Sequence, residues 1–171
     1  MPRSELYTGR GDNGFTGLLG PERVPKHDLR PEAYGAVDEV QAVLGIARAS
    51  GCTQVTAEIL LSLQEDLHRL MAELAAAGSG DGPFAGSIAP EHVGRLEGLI
   101  AEAEARVELP KAFVIPGDSM PGAALHHART VARRAERRVV HLAHEGFLPN
   151  DDLIRYLNRL SSLLFVLACA E

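Results

Sequence analysis

At 171 residues, 46% hydrophobic and 23% charged, the chain is about one domain long and can bury a core without disulfides or a structural metal. A formal net charge of −6 argues against general nucleic-acid binding, and two cysteines, Cys52 and Cys169, argue for a reducing compartment over a disulfide framework. Aromatics at 5% without tryptophan, and no run of about 18 uncharged apolar residues, leave neither a β-sandwich core nor a membrane span as the expected architecture.

Residues 1–30 carry turn chemistry, punctuated by Gly9, Gly11, Gly14, Gly17, Gly20, Pro21 and Pro25. No apolar run there could act as a signal peptide, so a cytoplasmic location is expected. From Pro31 a helix is predicted, with Tyr34, Val37, Val40, Val43, Leu44 and Ala47 at steps of three and four and a stop at Gly51. A second helix is expected from Thr53 to Ala77 on the face of Ile59, Leu63, Leu67, Leu70, Met71 and Leu74. Gly78 to Ser87 reads as a flexible connection within one domain. Pro90 opens a third helix through Val93, Leu96, Ile100 and Ala103 to Arg106. Leu109 to Met120 reads as a loop whose middle, Phe113 to Ile115, is apolar and extended. A fourth helix is predicted from Pro121 to Glu145, stopped by Gly146. The fifth begins after Pro149 and Asn150 and carries Ile154, Leu157, Leu160, Leu164 and Leu167. No run alternates as a half-buried strand does. The expected class is all-α: a single domain over 1–171, with a loop over 1–30 and a bundle of about five helices over 31–171.

Gly9 to Gly14 satisfies G-x-G-x-x-G, but no strand precedes it and no helix directly follows, so a dinucleotide fingerprint is rejected. Arg10-Gly11-Asp12 matches an adhesion tripeptide by chance. What remains is either a flexible N-terminus or a glycine loop whose backbone N–H groups form an anion nest. Thr8 and Thr16 would add hydroxyls to such a nest, and Lys26 a point charge. On the fourth helix Arg129, Arg133 and Arg137 share one face, with Glu136 beside them, while Ala128, Val131, Ala132, Ala135 and Val139 supply the packing side. A solvated face with Glu136 as counter-ion is the bland alternative. Yet Arg129, Arg133, Arg134, Arg137 and Arg138 crowd together in an acidic chain, which points to polyphosphate. Asn158 flanks the buried stripe of the fifth helix and needs a partner, structural or ligand. Glu65 and His68 have the spacing of a di-iron ligand pair, but the motif occurs once. His141 with His144, or adjacent His126 and His127, lack further ligands. No metal site built from protein side chains is expected.

Five segments together resemble the PduO-type ATP:cob(I)alamin adenosyltransferase family: YTGRGDNGFTGLLGPERVPKHD, EAYGAVDEV, FVIPG, ALHHARTVARRAERRVV and YLNRLSSLLF. The stretch from Gly51 to Leu109 between them is generic. The resemblance implies a five-helix bundle of ferritin-like type, assembled as a homotrimer with ATP and corrinoid at subunit interfaces. It implies an activity as well: transfer of the 5′-deoxyadenosyl group of ATP to Co(I) of cob(I)alamin, with Mg²⁺ bound through ATP. Thr8, Gly9, Arg10, Gly11, Asp12, Gly14, Thr16, Gly17 and Lys26 would cradle the triphosphate in a loop that orders on binding. Arg133, Arg134, Glu136, Arg137 and Asn158 would hold ATP from the helices. Asp38 would pair with Arg129 across the interface on the corrinoid side, and with Arg133 these two form the expected catalytic set. Phe113 would close the lower corrin face and favour a four-coordinate cobalt.

The nucleophile would be the cofactor's own cobalt, so no catalytic serine, cysteine or histidine is required. A reductase and an adenosylcobalamin-dependent enzyme would be protein partners. Gly9 and Arg10 replace a basic residue and a threonine of the family pattern, and Ser162 replaces an aspartate that orders the arginines. The sequence also ends at Glu171, soon after that motif, so a further C-terminal segment is expected to be missing. These departures leave a non-catalytic corrinoid or nucleotide carrier on the same bundle as the alternative.

Overall fold

The computed structural model describes residues 7–76, 83–148 and 150–171. Five helices account for most of them: α1 (Leu29–Ala49), α2 (Gln54–Ala75), α3 (Pro90–Glu104), α4 (Met120–His144) and α5 (Asp152–Ala170). Their starts follow from local chemistry. Asp28 caps α1, accepting from Arg30 N at 3.0 Å, and Ser119 caps α4, accepting from Gly122 N at 3.0 Å. Thr53 caps α2 through Thr56 N, and His92 Nδ1 accepts from Ala89 N ahead of α3. Gly51 and Gly146, at φ 88° and 78°, take up the left-handed geometry that ends α1 and α4. Of the connection expected over Gly78 to Ser87, residues 78–82 lie outside the described residues, as do the expected last residue of α2, Ala77, and Pro149 before α5.

Packing runs α2–α1–α4–α5–α3, each helix against the next. The apolar stripes predicted for α1, α2 and α5 form the core, with Val37, Leu44, Leu63, Leu70, Leu157 and Leu164 fully buried. On α4 the core side is made of small residues, Ala128, Ala132 and Ala135, together with Val131 and Val139. By length and mean hydropathy (1.4) α5 alone among the described helices could cross a membrane. It carries Arg155 and Arg159, however, and Leu153, Leu160 and Leu167 are buried in the bundle, the signature of a core helix.

One expectation is corrected. The N-terminal segment contains a short antiparallel hairpin, β1 (Phe15–Gly17) and β2 (Arg23–Pro25), with Thr16 opposite Val24. Three residues are too few to display an alternating pattern. The hairpin is positioned instead by tertiary contacts: Val24 and Leu18 are buried, and Leu19 N donates to Ala75 O at the end of α2 at 2.9 Å.

Two buried carboxylates close the bundle. Asp66 on α2 is ion-paired to Arg95 of α3 and to Arg69, and accepts from Tyr156 Oη of α5 at 3.0 Å. Glu73 accepts from Gly86 N, Ile88 N and Asn150 Nδ2, fixing the entry to α3 and the α4–α5 turn. Burial, followed by the Asp66 charge, holds the Tyr156 phenol well above its usual range.

Candidate functional site

The glycine loop is turned by hydrogen bonds within its own backbone. Asp12 N donates to Gly9 O at 3.2 Å, Gly14 N to Gly11 O at 3.1 Å, and Lys26 N to Gly14 O at 2.8 Å. Gly9 and Gly14 turn with φ of 69° and 81°, which a side chain would strain. Gly11 lies close beneath Lys26: a Cβ there would sit 3.2 Å from Nζ, so the tip of the lysine would have to shift. The lysine ammonium therefore rests over the loop. Thr8 Oγ1 accepts from Arg10 N at 3.3 Å. An open cleft of about 510 Å³ lies here, lined by Arg10, Gly11, Thr16, Gly17, Arg23 and Lys26. Arg23 was not anticipated. Its Nη2 donates to Arg10 O at 2.7 Å and to Phe15 O at 3.2 Å, so the return strand braces the loop and adds a cation. Asp12 is exposed at the loop surface.

The arginine helix divides by partner. Arg134 is ion-paired to Glu39 and Arg138 to Glu32, both on α1, so these two charges are answered within the protomer. Arg137 Nη1 donates to Arg133 O at 3.0 Å. Arg129 and Arg133 line a cleft of about 390 Å³ with Glu104, Ser161, Ser162 and Phe165. Arg129 Nε is buried there without an acceptor among the described residues, an expensive arrangement unless another group supplies one. Ser162 Oγ reaches back to Asn158 O at 3.5 Å and offers no charge to either arginine. Asp38 is exposed on α1 and makes no ion pair among the described residues, so Asp38 and Arg129 are not joined within the protomer.

Asn158 is engaged at both ends of its amide. Its Nδ2 donates to Glu136 Oε1 at 2.9 Å, and its Oδ1 accepts from Arg159 Nη1 at 2.7 Å. α4 and α5 are therefore stitched together beside the arginine face. Arg159, which the sequence reading passed over, also donates to Glu97 Oε1 of α3 at 2.8 Å.

Phe113 projects from the 108–119 loop, 96% exposed, and Ile115 beside it is 83% exposed. Beneath the loop lies a cleft of about 350 Å³, lined by Val114, Pro116, Asp118, His126, Cys169 and Glu171 among others. His126 is buried, its Nδ1 lacks a partner among the described residues, and its ring meets Phe165 edge-on at 6.0 Å. Burial and, second, the Arg129 charge hold its pKa below the ordinary 6.5, so the ring is neutral at neutral pH. Burial raises both cysteine thiols, and Cys52 and Cys169 are free. Glu65 and His68, the pair weighed as metal ligands, are exposed; the buried carboxylate of that turn is Asp66.

The loop cleft and the α4 cleft share no lining residue. Each presents two or three cations and an open side.

The model of the cobalamin adenosyltransferase family matches residues 6–171. Corrinoid adenosyltransferase PduO of Salmonella typhimurium is 41% identical over 166 residues, covering 97% of this chain and 49% of that protein. A corrinoid adenosyltransferase of Citrobacter freundii is 41% identical over 166 residues, covering 97% of this chain and 94% of that one. The chain spans about half the length of the PduO proteins of Salmonella typhimurium and Citrobacter freundii. Among solved structures, a phenylalanine-to-alanine variant of the PduO-type ATP:corrinoid adenosyltransferase from Lactobacillus reuteri, complexed with cobalamin and ATP, matches with a TM-score of 0.88. It is 33% identical, over 96% of this chain and 92% of that one.

Proposed function

Because the chain belongs to the cobalamin adenosyltransferase family, we propose that it transfers the 5′-deoxyadenosyl group of ATP to Co(I) of cob(I)alamin or a related corrinoid. The cobalt attacks the 5′-carbon, the carbon–oxygen bond to the triphosphate breaks, and adenosylcobalamin and triphosphate leave. The observation that carries this reading is the arginine face of α4. Arg129 and Arg133 open onto a cleft beside the fixed Glu136–Asn158 pair, and one guanidinium nitrogen awaits an acceptor.

The chain's residues would bind, align and neutralise. Lys26 and the Gly9 to Thr16 loop cradle the triphosphate, with Arg10 and Gly17 at the edge of the same cleft. Arg133 and Arg137 meet the phosphates from α4, and Arg134, Glu136 and Asn158 complete the ATP contacts. Alignment of the 5′-carbon and stabilisation of the departing charge are the main catalytic tasks. Mg²⁺ bound through the triphosphate oxygens would neutralise part of that charge.

The working unit in this proposal is a homotrimer, with each site between subunits. Two features support it: the separate clefts of the loop and of α4, and the unanswered Arg129 Nε, for which Asp38 of an adjacent subunit is the fitting acceptor. Phe113, exposed in the protomer, would lie against the lower face of the corrin and exclude an axial ligand. Residues 1–30 then serve as the nucleotide loop and 31–171 as the bundle, in the cytoplasm, alongside a reductase that supplies Co(I) and an enzyme that consumes the product.

Mixing the protein with ATP and chemically reduced cobalamin tests the reading. The expected result is an alkyl-cobalt absorbance change with stoichiometric triphosphate. Binding of both substrates without that change would leave a carrier, not a transferase.

A further inference from the structure

An amide side chain can be rotated by half a turn with little change in shape, so its donor and acceptor ends must be told apart by neighbours. At Asn158 they are. A carboxylate, Glu136 Oε1, sits 2.9 Å from Nδ2, and a guanidinium, Arg159 Nη1, sits 2.7 Å from Oδ1. Reversing the amide would set donor against donor and acceptor against acceptor at the same time. Arg159 is itself held, because its Nε donates to Glu97 Oε1 at 2.8 Å. The result is one chain of charge-assisted hydrogen bonds, Glu97–Arg159–Asn158–Glu136, running from α3 through α5 to α4.

We propose that Arg159 is a positioning residue of the nucleotide site, anchored by Glu97, and that it fixes the amide of Asn158 and through it the carboxylate of Glu136. This rests on the reading of Asn158 and Glu136 as ATP contacts. In this role Arg159 acts through Asn158, its Nε donating to Glu97 and its Nη1 to the amide oxygen, and touches no phosphate itself. Helix α3, whose last residue Glu104 lines the arginine cleft, thereby also sets the geometry of an ATP contact.

The test is a double-mutant cycle on the full-length protein, read by ATP titration calorimetry and by steady-state kinetics. Arg159→Met keeps an unbranched stem but removes the donors. It should raise the Kd and KM for ATP about 3- to 10-fold while leaving the KM for reduced cobalamin unchanged. In an Asn158→Ala background the same change should have no further effect. Glu97→Gln should shift ATP binding in the same direction by a smaller factor, again only when Asn158 is present; it serves if Arg159→Met folds poorly. Arg159→Lys, which cannot reach both partners with one ammonium, should fall between Arg159→Met and the natural protein.

If Asn158→Ala weakens ATP binding but Arg159→Met and Glu97→Gln act equally with and without Asn158, the positioning role is overturned and the site reading stands. If Asn158→Ala leaves ATP binding unchanged, both are overturned. A fall in thermal stability without any change in ATP affinity would also overturn the proposal, leaving Arg159 as a structural tie.

Discussion

Replacing Gly122 by alanine should destabilise the protein, against the usual effect of removing a glycine from a helix. Gly122 is buried in the first turn of α4, where that helix starts beside the last turn of α5. An added Cβ would lie 2.8 Å from Ser119 Oγ and 3.1 Å from the carbonyl oxygen of Ala168. The first contact displaces the capping hydroxyl that accepts from Gly122 N at 3.0 Å, a loss of about 0.5–2 kcal/mol. The second pushes on backbone, where overpacking costs about 1–3 kcal/mol. Helix propensity returns at most about 1 kcal/mol. With the propensity gain counted in full, the net expectation is a loss of about 0.5–4 kcal/mol, or a fall in Tm of roughly 1–16 °C for a chain of this size. Gly94 and Gly98 on α3 provide the control. Both are exposed, nothing lies within 4 Å of an added Cβ, and Gly94→Ala or Gly98→Ala should stabilise by about 0.4–1 kcal/mol. Urea unfolding at a fixed protomer concentration compares them, since any assembly makes stability depend on concentration. If Gly122→Ala proved as stable as Gly94→Ala, the close approach of α4 to α5 would be wrong.

Arg133→Ala should abolish ATP-dependent turnover while moving the unfolding midpoint by less than about 0.5 kcal/mol, because the side chain is exposed; single-turnover assays and urea titration read the two effects. Phe113→Ala should leave stability and ATP affinity unchanged and impair formation of four-coordinate cobalt, visible in the spectrum of the bound corrinoid. His126 makes a pH prediction. Its folded pKa lies below 6.5, so under acid conditions the unfolded chain takes up a proton that the folded chain refuses. Its stabilising contribution is therefore present above 6.5 and is lost as pH falls toward the folded value. His126→Gln should flatten the acid limb of a stability profile taken between about pH 5 and 8; an unchanged slope would contradict the burial of a neutral ring.

The helices were legible because their causes are local. Apolar residues at steps of three and four mark α1, α2 and α5, and Gly51 and Gly146 stop helices through their own backbone geometry. The hairpin was not, since strands of three residues have no readable period and Leu19 finds its partner at Ala75. Asp66, three residues after Leu63 and four before Leu70, falls on the buried stripe of α2, but its partners could not be read there: Arg95 lies on another helix and Tyr156 is 90 residues away. The arginine face of α4 and the glycine loop were visible as clusters of charge and glycine. Arg23 and Arg159 were not, because their roles lie in which oxygen each guanidinium reaches, and those oxygens belong to other segments.

The loop and the arginine helix open on separate clefts of one protomer. In the proposed trimer each subunit therefore lends its loop to one neighbour and its helix to the other. Inheritance follows from that arrangement. A copy defective in the loop alone still completes its other site, while a neighbour with a sound helix loses one. Two alleles damaged in different halves would restore a working site wherever their intact halves meet, and two damaged in the same half never would. Dominance and complementation in such a gene would report which face of the protomer a mutation struck.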